Sequence, residues 1–267
     1  MKRTTYIILG MLLAGCVAIS GFVYYYSTLG YSVGRERCLE GETRLLTLPA
    51  GRVVQLVRSN PSRWVNRLHL RVEPAEGDEA VLELPDKLAP YLRQEVRGDT
   101  LRLALDIDWD ALLAEVKGGR RQQLQLPALR LRIPSAVDRI QSESFGIQVS
   151  LNGLVRDSLA LQVNSHVQVE QCRFGALEAE TYSLTLNSGE AQRLHINLDK
   201  TPNWRVKTDS FHIDTEYLSA SAPAYNVQIA KGECRRVRWM PLSDKAQLYI
   251  RLDEAAEVVV DREDAAE

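Results

Sequence analysis

At 267 residues, 45% hydrophobic and 25% charged, the chain has the balance of a folded protein with a sizeable core, which excludes an intrinsically disordered one. Its net charge of -2, with Asp and Glu interspersed among the many Arg residues, provides no basic face and argues against nucleic-acid binding.

Lys2 and Arg3 precede an uncharged run from Tyr6 to Tyr26, YIILGMLLAGCVAISGFVYYY. As a helix rising about 1.5 Å per residue, this run would span roughly the 30 Å core of a bilayer. The positive start predicts a cytoplasmic N-terminus, and Tyr24, Tyr25 and Tyr26 suit the far interface. A second reading uses the same residues. Leu13-Ala14-Gly15-Cys16 resembles the bacterial lipobox, in which cleavage leaves Cys16 as a lipid-bearing N-terminus. Against it stand the further apolar and small residues after Cys16, where a polar tether is usual. Residues 1–27 are thus expected to be a membrane anchor or a lipoprotein signal segment. Both readings place the body in the cell envelope, on the inner membrane facing the periplasm or on the outer membrane as a lipoprotein.

Residues 28–43 read as a linker, with Gly30, Gly34, Gly41 and the charged RERCLEGE segment. From there short alternating strands dominate: RVVQLV at Arg52, RLHLRV at Arg67, AVLEL at Ala80, TLRLAL at Thr100 and LRLRI at Leu129. Turn-type clusters such as SNPS, EPAEGDE and RGD separate them. Two stretches break the rhythm. Asp86–Val96 reads as a helical turn interrupted by Pro90. Asp108–Lys117, DWDALLAEVK, is the best helix candidate, with Asp at its start and Gly118-Gly119 as a stop. Residues 106–127 are therefore expected as an insertion packed on the strands.

From Leu159 a repeat appears: LALQV at Leu159, LEAET at Leu177, LHINL at Leu194, FHIDT at Phe211, VQIAK at Val227 and LYIRL at Leu248. The starts follow one another at a nearly even step, with the widest before Leu248. A period near twenty with apolar alternation inside each unit predicts an all-β fold, a β-solenoid with a short helical insertion and an N-terminal helix. With no Pro/Ser-rich linker to divide it, one domain is expected over residues 44–261, followed by an acidic tail at 262–267. Both ends of such a stack need caps, since an open rung exposes backbone donors and acceptors.

The stretch LHLRVEPAEGDEAVLELPDKLAPYLRQEVRGDTLRLAL (Leu68 to Leu105), with Ser/Gly turns at Ser142–Ser144, Val163–Ser165 and Leu186–Gly189, resembles the auto-transporter adhesin group with a head GIN domain, exported proteins common in Bacteroidetes. That resemblance implies a single-stranded right-handed β-helix and an adhesin-like role. Its motifs are hydrophobic patterns rather than a catalytic signature. The region 106–127 and the scarcity of Gly-Ser turns in later rungs depart from the family's pattern.

Candidate sites are few. Asp106, Asp108 and Asp110 superficially match a calcium loop, but an EF-hand starting at Asp106 would need Gly where Ala111 stands and Glu where Lys117 stands. Helix-capping carboxylates explain them better. His195 and His212 each stand second in their repeat units, LHINL and FHIDT, and Glu178 stands second in LEAET. In register they would stack about 4.8 Å apart as an outer-face ladder of Glu178, His195 and His212. Such a ladder could bind a metal or titrate near neutral pH, but is more often plain solvated surface.

Acids are scattered over the rungs, no GxSxG elbow exists, and no CxxC pair marks zinc or redox chemistry, so no catalytic residue, metal or cofactor is expected. Cys38, Cys172 and Cys234 read as free thiols. RGD at Arg97–Asp99 reads as a turn. Trp204, Phe211, Tyr217, Tyr225, Trp239 and Tyr249 either fill the interior or mark a binding face. The expected function is a non-catalytic, membrane-tethered binding or scaffold module of the cell envelope, with a protein or glycan ligand on a solenoid face. A carbohydrate-active β-helix enzyme is the alternative, and an envelope-stress sensor a further one.

Overall fold

The computed structural model describes residues 2–28, 37–39, 41–59, 68–115, 124–144, 146–207, 209–229, 234–252 and 257–261. Helix α1 (Lys2–Thr28) leads, and its described side chains, residues 10–25, are all exposed. Among the described residues no helix is long and apolar enough to cross a membrane. The expected N-terminal helix forms, therefore, but the structure does not show the expected transmembrane span.

The rest is mostly strand. In chain order come β1 (Arg37–Cys38), β2 (Thr43–Leu48), β3 (Val53–Arg58), β4 (Leu68–Pro74), β5 (Ala80–Pro85), β6 (Leu92–Arg97) and β7 (Thr100–Leu105). Helix α2 (Trp109–Glu115) precedes β8 (Leu124–Gln125), β9 (Leu129–Ile133), β10 (Arg139–Ser142) and β11 (Ile147–Asn152). Then follow β12 (Val155–Glu170), β13 (Cys172–Leu186), β14 (Gly189–Asn197), β15 (Asn203–Val206) and β16 (Phe211–Ala220). The last are β17 (Pro223–Ile229), β18 (Cys234–Pro241), β19 (Gln247–Leu252) and β20 (Glu257–Val260).

These strands wind into a β-solenoid of about five turns. One face stacks β7, β3, β10, β12, β13, β14, β16, β18 and β20 in parallel. A second stacks β9, β4, β11, the later half of β12, the later half of β13 and β15. Period-two alternation does the sorting. In β12 the residues Leu159, Leu161 and Val163 point inward and are buried, as are Leu177 and Ala179 beside them in β13. The interior is one continuous apolar cluster running from Leu39 to Trp239.

The expected rung spacing holds only in part. Along the first face the column runs from Arg139 through Ala160, Glu178, His195, Tyr217 and Arg238 to Val259, so the step is short from Ala160 to His195 and longer on either side. The long step after His195 comes from an added turn. Lys200 and Thr201 N–H groups donate to the Asn197 carbonyl, and the Thr201 hydroxyl donates to the Ala179 carbonyl at 3.1 Å while accepting from the Thr181 N–H at 3.0 Å. The sequence repeat FHIDT consequently begins not on the first face over Leu194, but on a third, short face over Gly189.

The N-terminal end is closed. β2 runs antiparallel to β5, which in turn runs antiparallel to β9, and β6 runs antiparallel to β7 across the turn at Gly98-Asp99. The RGD triplet is that hairpin turn. Asp86–Tyr91 is a 3-10 turn containing Pro90. Asp108 caps α2 through its Oδ1, which accepts from the N–H groups of Asp110 and Ala111, both at 3.1 Å. Ile107, Trp109 and Leu112 insert this segment into the core. Chain order and spatial order differ here: β3 lies between β7 and β10, so the connection from Ile133 to Asp138 skips a rung.

Candidate functional site

β12, β13, β14 and β16 each open on the short third face and then bend onto the first. The bend is visible in the ladder. Arg156 pairs with Phe174 and Ser158 with Ala176, Phe174 with Ala191 and Ala176 with Arg193, Ala191 with Ile213 and Arg193 with Thr215. The residue skipped each time is Asp157, Gly175, Gln192 or Asp214. These four line the floor of a groove that runs along the solenoid axis, with a volume of about 830 Å³. Gly175 is required at its place, because a Cβ there would stand 2.6 Å from the Asp157 carbonyl oxygen.

Charged side chains form the walls. Arg173 Nε lies 3.4 Å from Glu190, and His212 Nε2 lies 3.3 Å from Asp214, which Arg235 approaches at 3.8 Å. At the N-terminal end Arg52 pairs with Asp138. Arg156 faces inward there, donating to the carbonyls of Ile133 at 3.0 Å and Pro134 at 3.1 Å, where the chain skips a rung. Burial lowers the Arg156 pKa, with the neighbouring Cys172 opposing it.

The expected outer ladder is shorter than the sequence spacing suggested. Glu178 does lie beside His195. His195 is followed not by His212 but by Tyr217, the rings stacked at 4.3 Å and within 4° of parallel, with Arg238 5.4 Å over the Tyr217 ring. Burial lowers the His195 pKa, opposed by the Glu178 charge and assisted by Arg193. The longer step after His195 moves His212 to the groove, in register with Glu190. Among the described residues no group of three or more His, Cys, Asp and Glu could hold a metal ion.

Of the six aromatics, Phe211 and Trp239 are interior, Tyr249 is exposed, and the Tyr225 side chain lies outside the described residues. Cys16 and Cys172 are free thiols, Cys234 Sγ donates to the Arg236 carbonyl at 2.9 Å, and the Cys38 side chain lies outside the described residues. Burial raises the Cys172 thiol pKa, so this cysteine is chemically quiet. Spacing alone did not reveal the groove. Its signal was a slip in alternation: buried Phe174 and Leu177, Ala191 and Leu194, and Ile213 and Glu216 are each three positions apart rather than two.

No family model matches the chain, and no curated protein matches it. Solved structures do resemble it. A proposed adhesin of Bacteroides fragilis shares 11% identity at a TM-score of 0.44, over 85% of this chain and 99% of that one. A proposed lipid-binding protein of Parabacteroides distasonis shares 12% identity at a TM-score of 0.35, over 85% and 100%. A proposed cell adhesion protein of Clostridium sporogenes shares 10% at 0.28, over 83% and 98%.

Proposed function

We propose that this chain is a non-catalytic binding module of the cell envelope, adhesin-like in the broad sense, that holds a charged glycan in the bend groove. The groove itself carries this reading: about 830 Å³, open along the axis, and walled by charges of both signs. It runs across the strands rather than along an edge. The ladder N–H and C=O groups beside it already pair between rungs, so a ligand there is read by side chains and not by strand addition. Hydroxyl and charged groups of a saccharide suit those walls. The floor carboxylates Asp157 and Asp214 stand three rungs apart, about 14 Å at the usual strand spacing. That exceeds the roughly 5–9.5 Å at which two carboxyl groups share a glycosidic bond, so the floor does not support hydrolysis.

Helix α1 supplies the attachment in this reading. Met11, Leu12, Leu13, Val17, Ile19, Phe22 and Val23 are all exposed, an apolar surface that suits a lipid environment. The mature mass distinguishes the two forms: retained Met1 means the helix itself attaches, and a diacylated Cys16 means a lipoprotein.

Glycan-array binding with the full-length chain tests the groove. Wild type is expected to retain acidic or zwitterionic glycans, and Arg173→Ala and Asp157→Ala to lose tenfold or more in affinity, while Glu178→Ala on the outer face does not. A folded wild type that retains no glycan, or groove substitutions without effect, would refute the proposal.

A further inference from the structure

Most of the charge along the bend groove is already matched within the protein. Arg52 pairs with Asp138, and His212 and Arg235 approach Asp214 at 3.3 and 3.8 Å. Arg156 turns its guanidinium to the carbonyls of Ile133, Pro134 and Val155. Two groups have capacity left over, one of each sign. Asp157 is exposed on the floor and, among the described residues, its carboxylate has no hydrogen bond or ion pair. Arg173 meets Glu190 through Nε alone, at 3.4 Å, and both side chains are well exposed.

These two groups stand on neighbouring rungs. Asp157 belongs to β12 and Arg173 to β13, and the two strands pair in register with Arg173 beside Val155. One rung is a step of about 4.8 Å. The floor position next to Asp157 is Gly175, so β13 sets no floor side chain against the carboxylate. The two Nη groups of Arg173 can donate to a carboxylate as a parallel pair. Glu190 does not prevent this, because an ion pair so open to solvent is weak.

A ligand that uses both groups carries one charge of each sign, one rung apart. A purely acidic glycan would leave Asp157 unpaired and set its own charges against Asp157, Glu190 and Asp214. A purely cationic one would leave the Arg173 Nη groups without an acceptor. Neighbouring sugars of an extended chain advance by about one rung, so a glycan lying along the solenoid axis can meet both. We infer that the ligand is a zwitterionic glycan, with a free ammonium on Asp157 and a carboxylate of the adjoining sugar on Arg173. This assignment rests on the groove's being a glycan site, and adds the charge class of the glycan and the direction in which it lies.

Titration calorimetry of the full-length chain with three oligosaccharides of matched length tests this. N-deacetylated heparosan carries carboxylates and free ammonium groups on alternate sugars, heparosan carries the carboxylates alone, and chitosan the ammonium groups alone. Wild type is expected to bind the first at least about tenfold more tightly than either of the others. Asp157→Asn is expected to remove the preference over heparosan, and Arg173→Gln the preference over chitosan. The wild-type comparison decides the matter if a variant fails to fold. Heparosan or chitosan binding as tightly as the zwitterion, or tight ligands on the glycan array that all carry charge of one sign, would overturn the assignment and leave the glycan reading standing. A folded wild type that binds none of the three and nothing on the array would overturn both.

Discussion

Gly189→Ala probes the closest approach between rungs. Gly189 begins β14 at φ +131°, outside the range that L side chains adopt, and a Cβ there would stand 2.0 Å from the Cys172 carbonyl oxygen and 2.8 Å from its nitrogen. Cys172 is fully buried in the adjacent rung, so neither contact is a flexible side chain that can swing away. The two backbones must part until that 2.0 Å approach opens to the ordinary contact limit of 3.4 Å. Such an opening strains the Gly189 N–H bond to Ser210 at 2.9 Å and the Gln171 N–H bond to the Ser188 hydroxyl at 2.9 Å. Two weakened hydrogen bonds at about 1 kcal/mol each and about 1–3 kcal/mol of backbone strain give a loss of about 3–5 kcal/mol, a large share of a domain's stability. Gly175→Ala meets Asp157 at 2.6 Å without a positive φ, and is expected to cost about 1–3 kcal/mol. Gly77→Ala, with nothing within 4 Å, is expected to stay within about 0.5 kcal/mol of wild type. Urea unfolding of the full-length chain, followed by far-ultraviolet circular dichroism, measures all three. A Gly189→Ala variant no less stable than Gly77→Ala would refute the packing argument.

Three further outcomes are expected. Glu216 is fully buried in an interior column otherwise made of Leu159, Leu177, Leu194, Val237 and Val258, so Glu216→Leu should raise stability by about 1–3 kcal/mol in the same assay. A loss there would mean that interactions of the carboxylate outweigh its desolvation. His195 has a folded pKa below its unfolded value near 6.5, chiefly through burial, so the unfolded chain takes up a proton more readily. Its contribution is present above the unfolded value and is lost as pH falls through the folded one, and His195→Gln should flatten the dependence of the melting temperature on pH below about 6.5. Asp199 accepts from the Ser221 N–H at 2.6 Å and hydroxyl at 2.7 Å, bonds that hold its pKa below the usual carboxylate value. Because solvent screens this exposed group, Asp199→Ala should cost only about 0.5–1 kcal/mol at pH 7 and almost nothing at a pH where the carboxyl is protonated, read by urea unfolding at both.

The architecture was legible in the sequence because two physical signals are periodic. Alternation places Leu159, Leu161 and Val163 on one side of a strand, and the step to Leu177 and Leu194 repeats it rung by rung. What spacing could not supply was the length of each turn. A corner residue adds chain without changing which face the next strand presents, so the turn after Asn197 displaced His212 from the His195 column while leaving every strand inwardly apolar. Any ladder read at a constant step fails at the first such turn, and the register has to come from the structure. The groove is hidden for a related reason. Its floor consists of the residues that each strand skips at its bend, and Asp157, Gly175, Gln192 and Asp214 follow no common residue type. They share instead a phase slip, the extra position between Phe174 and Leu177 or between Ala191 and Leu194. The same slip shows why Glu216 reads as one more surface acid in the sequence: counted by twos from Ile213 it falls outward, and counted across the bend it falls into the core. A solenoid therefore displays its scaffold in the period of its sequence and its special positions in the breaks of that period.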